Sequence, residues 1–190
     1  MTTSDQNASW QVQDRFLELH SRWFNLIGEH LRDHQGNLLE YWRIEKADSV
    51  IILPLQADQI LLPSPSYRPG IDQMTLDFPG GRVPIGTSPA QAAITTLQRE
   101  LGIETNLIRQ LIPMNSQGWA VNSSFSNQKL YGFVAHLQAP NPSIQSTTIN
   151  YPANSNGVQQ LLQALICLQC RSILLNWWIT TSQSSRENSG

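Results

Sequence analysis

From residue 105 to residue 186 the chain has no aspartate and no glutamate; after Glu104 the next acid is Glu187. Carboxylates are the side chains on which hard cations such as magnesium depend, and they are frequent general bases. That stretch can supply neither a carboxylate metal ligand nor a carboxylate base. Charge is scarce elsewhere too. Asp, Glu, Lys and Arg make up 14% of 190 residues, well below the usual quarter, and the formal net charge is -2. Such a balance offers no basic surface for a phosphate backbone, so no nucleic-acid partner is expected. Residues 1 to 9 have neither a basic start nor an apolar run, and no charge-free apolar stretch reaches spanning length. A protein without a signal peptide or membrane segment, and a cytoplasmic location, are the expectations.

Cysteine is nearly absent. The two that occur form Cys167-Leu-Gln-Cys170, a spacing compatible with a redox pair or half of a zinc site. No second pair exists to complete a four-cysteine site. The pair falls inside residues 158 to 179, which read as one helix, apolar almost all round, so two buried thiols are expected. His20, His30, His34 and His136 show no metal-binding spacing.

What the chain does contain is enough apolar sequence for a core, 40% of residues, and it is long enough for one full domain. Residues 48 to 55, Asp-Ser-Val-Ile-Ile-Leu-Pro-Leu, read as a buried strand. Asp58-Gln59 marks a turn, and Ile60-Leu61-Leu62 starts the return strand. Residues 80 to 103 then form a loop, a helix and a stop. Pro79-Gly80-Gly81 allows a tight turn and close backbone approach. Thr87 or Ser88 can cap a helix, Pro89 suits its first turn, and Gly102 offers a left-handed stop. Ala93, Leu97 and Leu101 recur every four residues and should face the core, whereas Thr96, Arg99 and Glu100 share another face.

This loop-helix-turn, GGRVPIGTSPAQAAITTLQRELGI, resembles the Nudix box of the Nudix hydrolase family. The box runs Gly, five residues, Glu, seven residues, Arg-Glu-apolar-x-Glu-Glu-x-Gly-apolar. Laid on this chain, its first Gly is Gly81 and its first Glu position holds Thr87. The Arg-Glu pair falls on Thr95 and Thr96, the apolar position on Leu97, and the Glu-Glu pair on Arg99 and Glu100, followed by Gly102 and Ile103. One helix acid survives. The flanks, Tyr67-Arg68-Pro69-Gly70 before the box and Ser124-Phe-Ser-Asn-Gln-Lys-Leu-Tyr-Gly-Phe-Val-Ala135 after it, resemble the ADP-ribose pyrophosphatase branch. Relatives there commonly carry Ser-Asp-Glu where this chain has Ser126-Asn127-Gln128.

The resemblance implies an α/β (α+β) Nudix fold over residues 47 to 179: a mixed β-sheet sandwiched between helices. It also implies an N-terminal accessory segment, residues 1 to 46, which in that branch builds a dimer interface. Asp33-His-Gln-Gly36-Asn37 is a good turn between two apolar runs there, so a β-hairpin is expected. Trp10, Trp23, Phe24 and Trp42 suit either a homodimer interface or plain core packing. The Ser-rich residues 180 to 190 read as a disordered tail.

In the family, helix glutamates hold magnesium or manganese, which bridges the substrate diphosphate and activates water. Arg99 puts a positive charge where a cation would sit. At about 4 Å and an effective dielectric of about 20, a divalent ion would be repelled by about 8 kcal/mol. Two readings follow, with a third beside them. In the first, the chain is a non-catalytic module for a nucleoside diphosphate derivative or a protein partner. Arg68, Arg82 and Arg99 would then grip a diphosphate, helped by backbone N–H groups of Gly80 and Gly81, and no resident cofactor is expected. In the second, it is a hydrolase of ADP-ribose or related compounds, with Mg or Mn held by Glu100 and helped by Glu104, Asp72 or Asp77. In the third, it is a structural subunit with a vestigial cleft.

Overall fold

The computed structural model describes residues 9–138 and 148–187, with side chains to residue 183. The chain divides into two compact units, one made of residues 1–47 and 120–129, the other of residues 48–119 and 130–190.

The first unit is an antiparallel sheet of β1 (Gln11–His20), β2 (Asn25–Arg32) and β3 (Leu38–Glu45), in that order. The expected hairpin is β2–β3. Its turn forms because the Asp33 carboxylate accepts from the N–H groups of Gln35 and Asn37, both at 2.8 Å, while Gly36 takes a positive φ of 86°. β1 adds a third strand that the hairpin reading lacks. The central strand buries Ile27, Glu29 and Leu31 on one face. On the other, Phe16 of β1 covers Gly28 and stacks near His30 and Trp42, with ring centroids 4.9 and 5.3 Å away.

The boundary at residue 46 is extended by Ala47 and by residues 120–129. Ile44 exchanges backbone hydrogen bonds with Phe125 and Asn127. The Asn127 side chain accepts from Lys46 N–H at 2.9 Å, and the Gln128 amide donates to Ala47 C=O at 3.2 Å. A glutamate at residue 128 has no N–H to donate to that carbonyl. The amides of Asn127 and Gln128 therefore have a structural use here.

The second unit is built on a mixed seven-stranded sheet. Its strands are β4 (Ser49–Gln56), β5 (Gln59–Pro63), β8 (Gly80–Arg82), β9 (Ile108–Pro113), β10 (Trp119–Ala120), β11 (Lys129–Leu137) and β12 (Thr148–Pro152). The main path is β10-β11-β4-β5-β12, with β8 paired to β4 and β9 to β11. β4 and β11 run parallel; β4–β5, β5–β12, β4–β8 and β9–β11 are antiparallel. A small ribbon, β6 (Ser66–Arg68) with β7 (Gln73–Thr75), stands apart from it.

α1 (Pro89–Leu101) covers one face, its Ala93, Leu97 and Leu101 packed with Val50, Ile52, Leu61, Phe133 and Ala135. Its ends follow the local signals. The Ser88 side chain accepts from Gln91 N–H at 3.2 Å, Pro89 opens the helix, and Gly102 closes it at φ 66°. The other face is covered by α3 (Leu168–Glu187), where Ile173 lies over Gly132; a Cβ at Gly132 would sit 2.5 Å from Ile173 Cδ1. Burial of β4 on both faces explains its unbroken apolar run.

Two expectations about the C-terminal region are corrected. Residues 158 to 179 are not one helix: α2 (Ser155–Ala164) ends before α3 begins. Leu165 instead forms a β-bridge with Leu76, and the Arg171 guanidinium donates to the carbonyls of Leu162 and Leu165, satisfying the end of α2. The Ser-rich segment from residue 180 is not a tail through Glu187, because α3 continues through it; residues 188–190 lie outside the described ones. No helix among the described residues is long and apolar enough to cross a membrane.

Candidate functional site

Gly80 and Gly81 lie in β8, against the first residues of β4, and α1 follows over the same region of the sheet. The approach is close. A Cβ on Gly81 would lie 2.7 Å from Thr96 Oγ1 and 3.1 Å from an Arg99 nitrogen. Gly81 therefore provides the space that lets the loop rest on the helix. Thr96 is buried there, at 1% exposure.

Glu100 and Arg99 are joined. Arg99 Nη2 donates to Glu100 Oε1 at 2.7 Å and to Gly80 C=O at 3.1 Å, and Glu100 Oε2 accepts from Gly80 N–H at 3.1 Å. One guanidinium nitrogen thus rests on a carboxylate oxygen and a backbone carbonyl oxygen. Oxygen atoms of these two kinds are typical ligands of a hard cation. Both carboxylate oxygens of Glu100 are engaged.

A cavity of about 640 Å³ opens beside this loop, within the second unit. Ile51, Pro69, Ile71, Phe78 and Ile166 supply apolar walls; Arg68, Thr75, Asp77 and Glu100 supply polar groups. Its volume lies within the range of small-molecule sites. The bridge between Leu76 and Leu165 sets Asp77 and Phe78 beside the α2–α3 break, whose Ile166 and Cys167 line the same cavity.

Among the sequence-derived candidates, Arg68, Gly80, Gly81 and Glu100 line the cavity, whereas Arg82 and Arg99 do not. Arg99 sits at the cavity's edge, its Nη2 bonded to the lining residues Glu100 and Gly80. Each arginine is placed by its own element: Arg82 on β8 opposite Ser49, Arg99 folded back onto Glu100, and Arg68 at the end of β6. Arg68 meets Asp77, with its Nε at 2.9 Å and Nη2 at 2.8 Å from Oδ2, and Thr75 Oγ1 donates to the same oxygen at 2.8 Å. Asp72, the other acid considered for a metal, accepts from the Tyr67 hydroxyl, which raises the Tyr67 pKa. Neither Asp72 nor Glu104 lines the cavity.

The sequence reading did not place the two cysteines at the cavity. Cys167 precedes the first turn of α3, its carbonyl accepting from Arg171 N–H at 3.0 Å, and Cys170 follows one turn on. Both line the cavity. Cys170 is buried and Cys167 half-buried, which corrects the expectation of two thiols buried in mid-helix. The hydrogen bond from Cys170 to Cys167 holds the Cys167 thiol down to about 6 despite its burial. The same bond, together with desolvation, pushes Cys170 up. The available signal was Arg171, a cation well placed to end one helix while the next begins.

No protein-family model matches the chain, and no curated protein matches it. Among solved structures, the crystal structure of an ADP compounds hydrolase aligns over 93% of this chain and 96% of its own, at a TM-score of 0.74 and 20% identity. The mixed sheet between helices, with its loop-helix-turn laid against the parallel strand pair, is a Nudix fold.

Proposed function

We propose that the second unit is a non-catalytic module whose cavity takes a nucleoside diphosphate derivative without a magnesium ion. The observation that carries this reading is the placement of Arg99 Nη2 on Glu100 Oε1 and Gly80 C=O. The guanidinium takes the place of a cation there, and a magnesium ion would have to displace it. Thr87, Thr95 and Thr96 offer no carboxylate in compensation. Arg68 remains as the cavity's cationic group, and its apolar walls suit a base or sugar face. The structural neighbour is a hydrolase of ADP compounds, which makes an ADP-type compound the first choice of ligand. A protein partner is the further possibility that the same lack of acids allows.

The test is calorimetric titration of the full chain with ADP-ribose in EDTA. Saturable binding is expected, weakened about tenfold by Arg68→Ala, the loss of one charge-assisted contact at a half-exposed site. Binding that requires magnesium would favour the metal-dependent hydrolase reading instead, with Glu100 as its anchor. A wholly inert cavity would leave a structural subunit.

A further inference from the structure

We propose that Cys167, Cys170 and Asp77 form a binding site for a thiophilic divalent cation of the zinc class, with a fourth coordination position open to the cavity. The site is separate from the place a magnesium ion would take beside Glu100, and its test does not depend on nucleotide binding.

Among the described residues these three make a cluster of potential metal ligands, one donor atom each, all within 4.8 Å of one another. The separation of Cys170 Sγ from Asp77 Oδ1 is 3.7 Å. A tetrahedral zinc ion with bonds of about 2.3 Å to sulfur and about 2.1 Å to oxygen sets those two ligands about 3.6 Å apart. Closing all three onto one ion therefore needs shifts of at most about an ångström. Cys167, just before the first residue of α3, is the half-buried member.

The carboxylate is already oriented. Arg68 and Thr75 both donate to Oδ2, leaving Oδ1 turned toward Cys170. Anchoring one oxygen while presenting the other is the arrangement by which outer residues fix a metal ligand. Charge closes as well. Two thiolates and one carboxylate carry three negative charges, Arg68 contributes one positive charge, and a divalent ion makes the group neutral. The N–H groups of the first turn of α3 add a positive end to the helix beside both sulfurs. Two sulfurs and one oxygen select zinc or a similar soft cation over magnesium. Three protein ligands with one open position is also the pattern of zinc sites that bind an exogenous group.

The experiment uses the full chain, reduced and freed of metal, titrated with Co²⁺ as a spectroscopic probe and then with Zn²⁺. One equivalent of Co²⁺ should give a thiolate-to-cobalt charge-transfer band that one equivalent of Zn²⁺ removes. Cys167→Ser and Cys170→Ser should each lose it. Asp77→Asn, and Thr75→Val through the carboxylate's orientation, should weaken Co²⁺ binding about tenfold or more. Zinc should also slow alkylation of both cysteines in the unsubstituted chain, a readout that does not depend on any variant folding. Absence of the band would overturn the site, as would a band that survives Cys167→Ser or an unchanged affinity in Asp77→Asn.

Discussion

Gly157→Ala lowers the stability of the second unit by about 3 kcal/mol or more, with a fall in melting temperature of about 10 °C. Gly157 is buried in the first turn of α2, where its N–H donates to the Asn154 side chain at 3.0 Å. An added Cβ would lie 2.0 Å from Pro152 C=O and 2.8 Å from its carbonyl carbon. Both are backbone atoms of β12, which is fixed by pairing with β5 and by a bond from Ala153 N–H to Asp58 C=O. No side-chain rotation relieves the clash. Either α2 lifts off the strand or the strand end leaves its partner. Gly70→Ala is the matched control. Nothing lies within 4 Å of its added Cβ, so its effect stays within about 0.5 kcal/mol. Thermal unfolding of the two variants beside the parent checks both values, and equal melting temperatures would refute the steric reading.

Glu29→Ala destabilises the three-stranded sheet by about 3 kcal/mol. Glu29 is 1% exposed on the central strand. Arg43 binds it through Nε at 2.9 Å and Nη2 at 3.0 Å, and Arg15 Nε approaches from the other side at 2.8 Å. Removing the carboxylate leaves two guanidinium groups facing each other over a buried gap. Arg15 and Arg43 are 44% and 25% exposed, so water offsets part of the loss and the estimate sits at the low end for a buried pair. Glu29→Gln keeps the shape and some hydrogen bonds and should fall between. The ion group also sets a pH dependence. Hydrogen bonding to Arg43 holds the Glu29 carboxyl below the ordinary glutamate value. Its stabilisation is therefore complete above the unfolded-state value and is lost as pH falls through the lower folded-state value. Amide exchange in β1–β3 measured at neutral and acid pH should show the first unit loosening at acid pH in the parent. That change should be smaller in Glu29→Ala; a variant as protected as the parent would contradict the ion group's role.

Elements with local causes were legible in the sequence. The ends of α1 follow from Ser88, Pro89 and Gly102, each of which acts on its immediate neighbours. β4 follows from an unbroken apolar run, and the β2–β3 turn from Asp33 and Gly36. Features caused by distant partners were not legible. The break between α2 and α3 depends on Leu76, far from it in sequence, and on a guanidinium reaching back to Leu162 and Leu165. Without that break the cysteines look like core residues; with it they line the cavity. Arginine targets are equally hidden, because a long side chain can turn either way. Arg99, with Arg68 and Arg82 as helpers, looked suited to a phosphate, yet Arg99 turns onto Glu100 and Arg68 onto Asp77. The lack of Asp and Glu from residue 105 to residue 186 was plain from the start, whereas the structural use of Asn127 and Gln128 needed the position of Lys46 and Ala47.

The role given to Arg99 is tested most directly by assaying ADP-ribose hydrolysis by the full chain with Mg²⁺ or Mn²⁺, beside Glu100→Gln. If the guanidinium occupies the cation's place, neither metal supports turnover, and the two proteins are equally silent. Metal-dependent turnover that Glu100→Gln abolishes would contradict it, making Glu100 a working metal ligand and the chain a hydrolase.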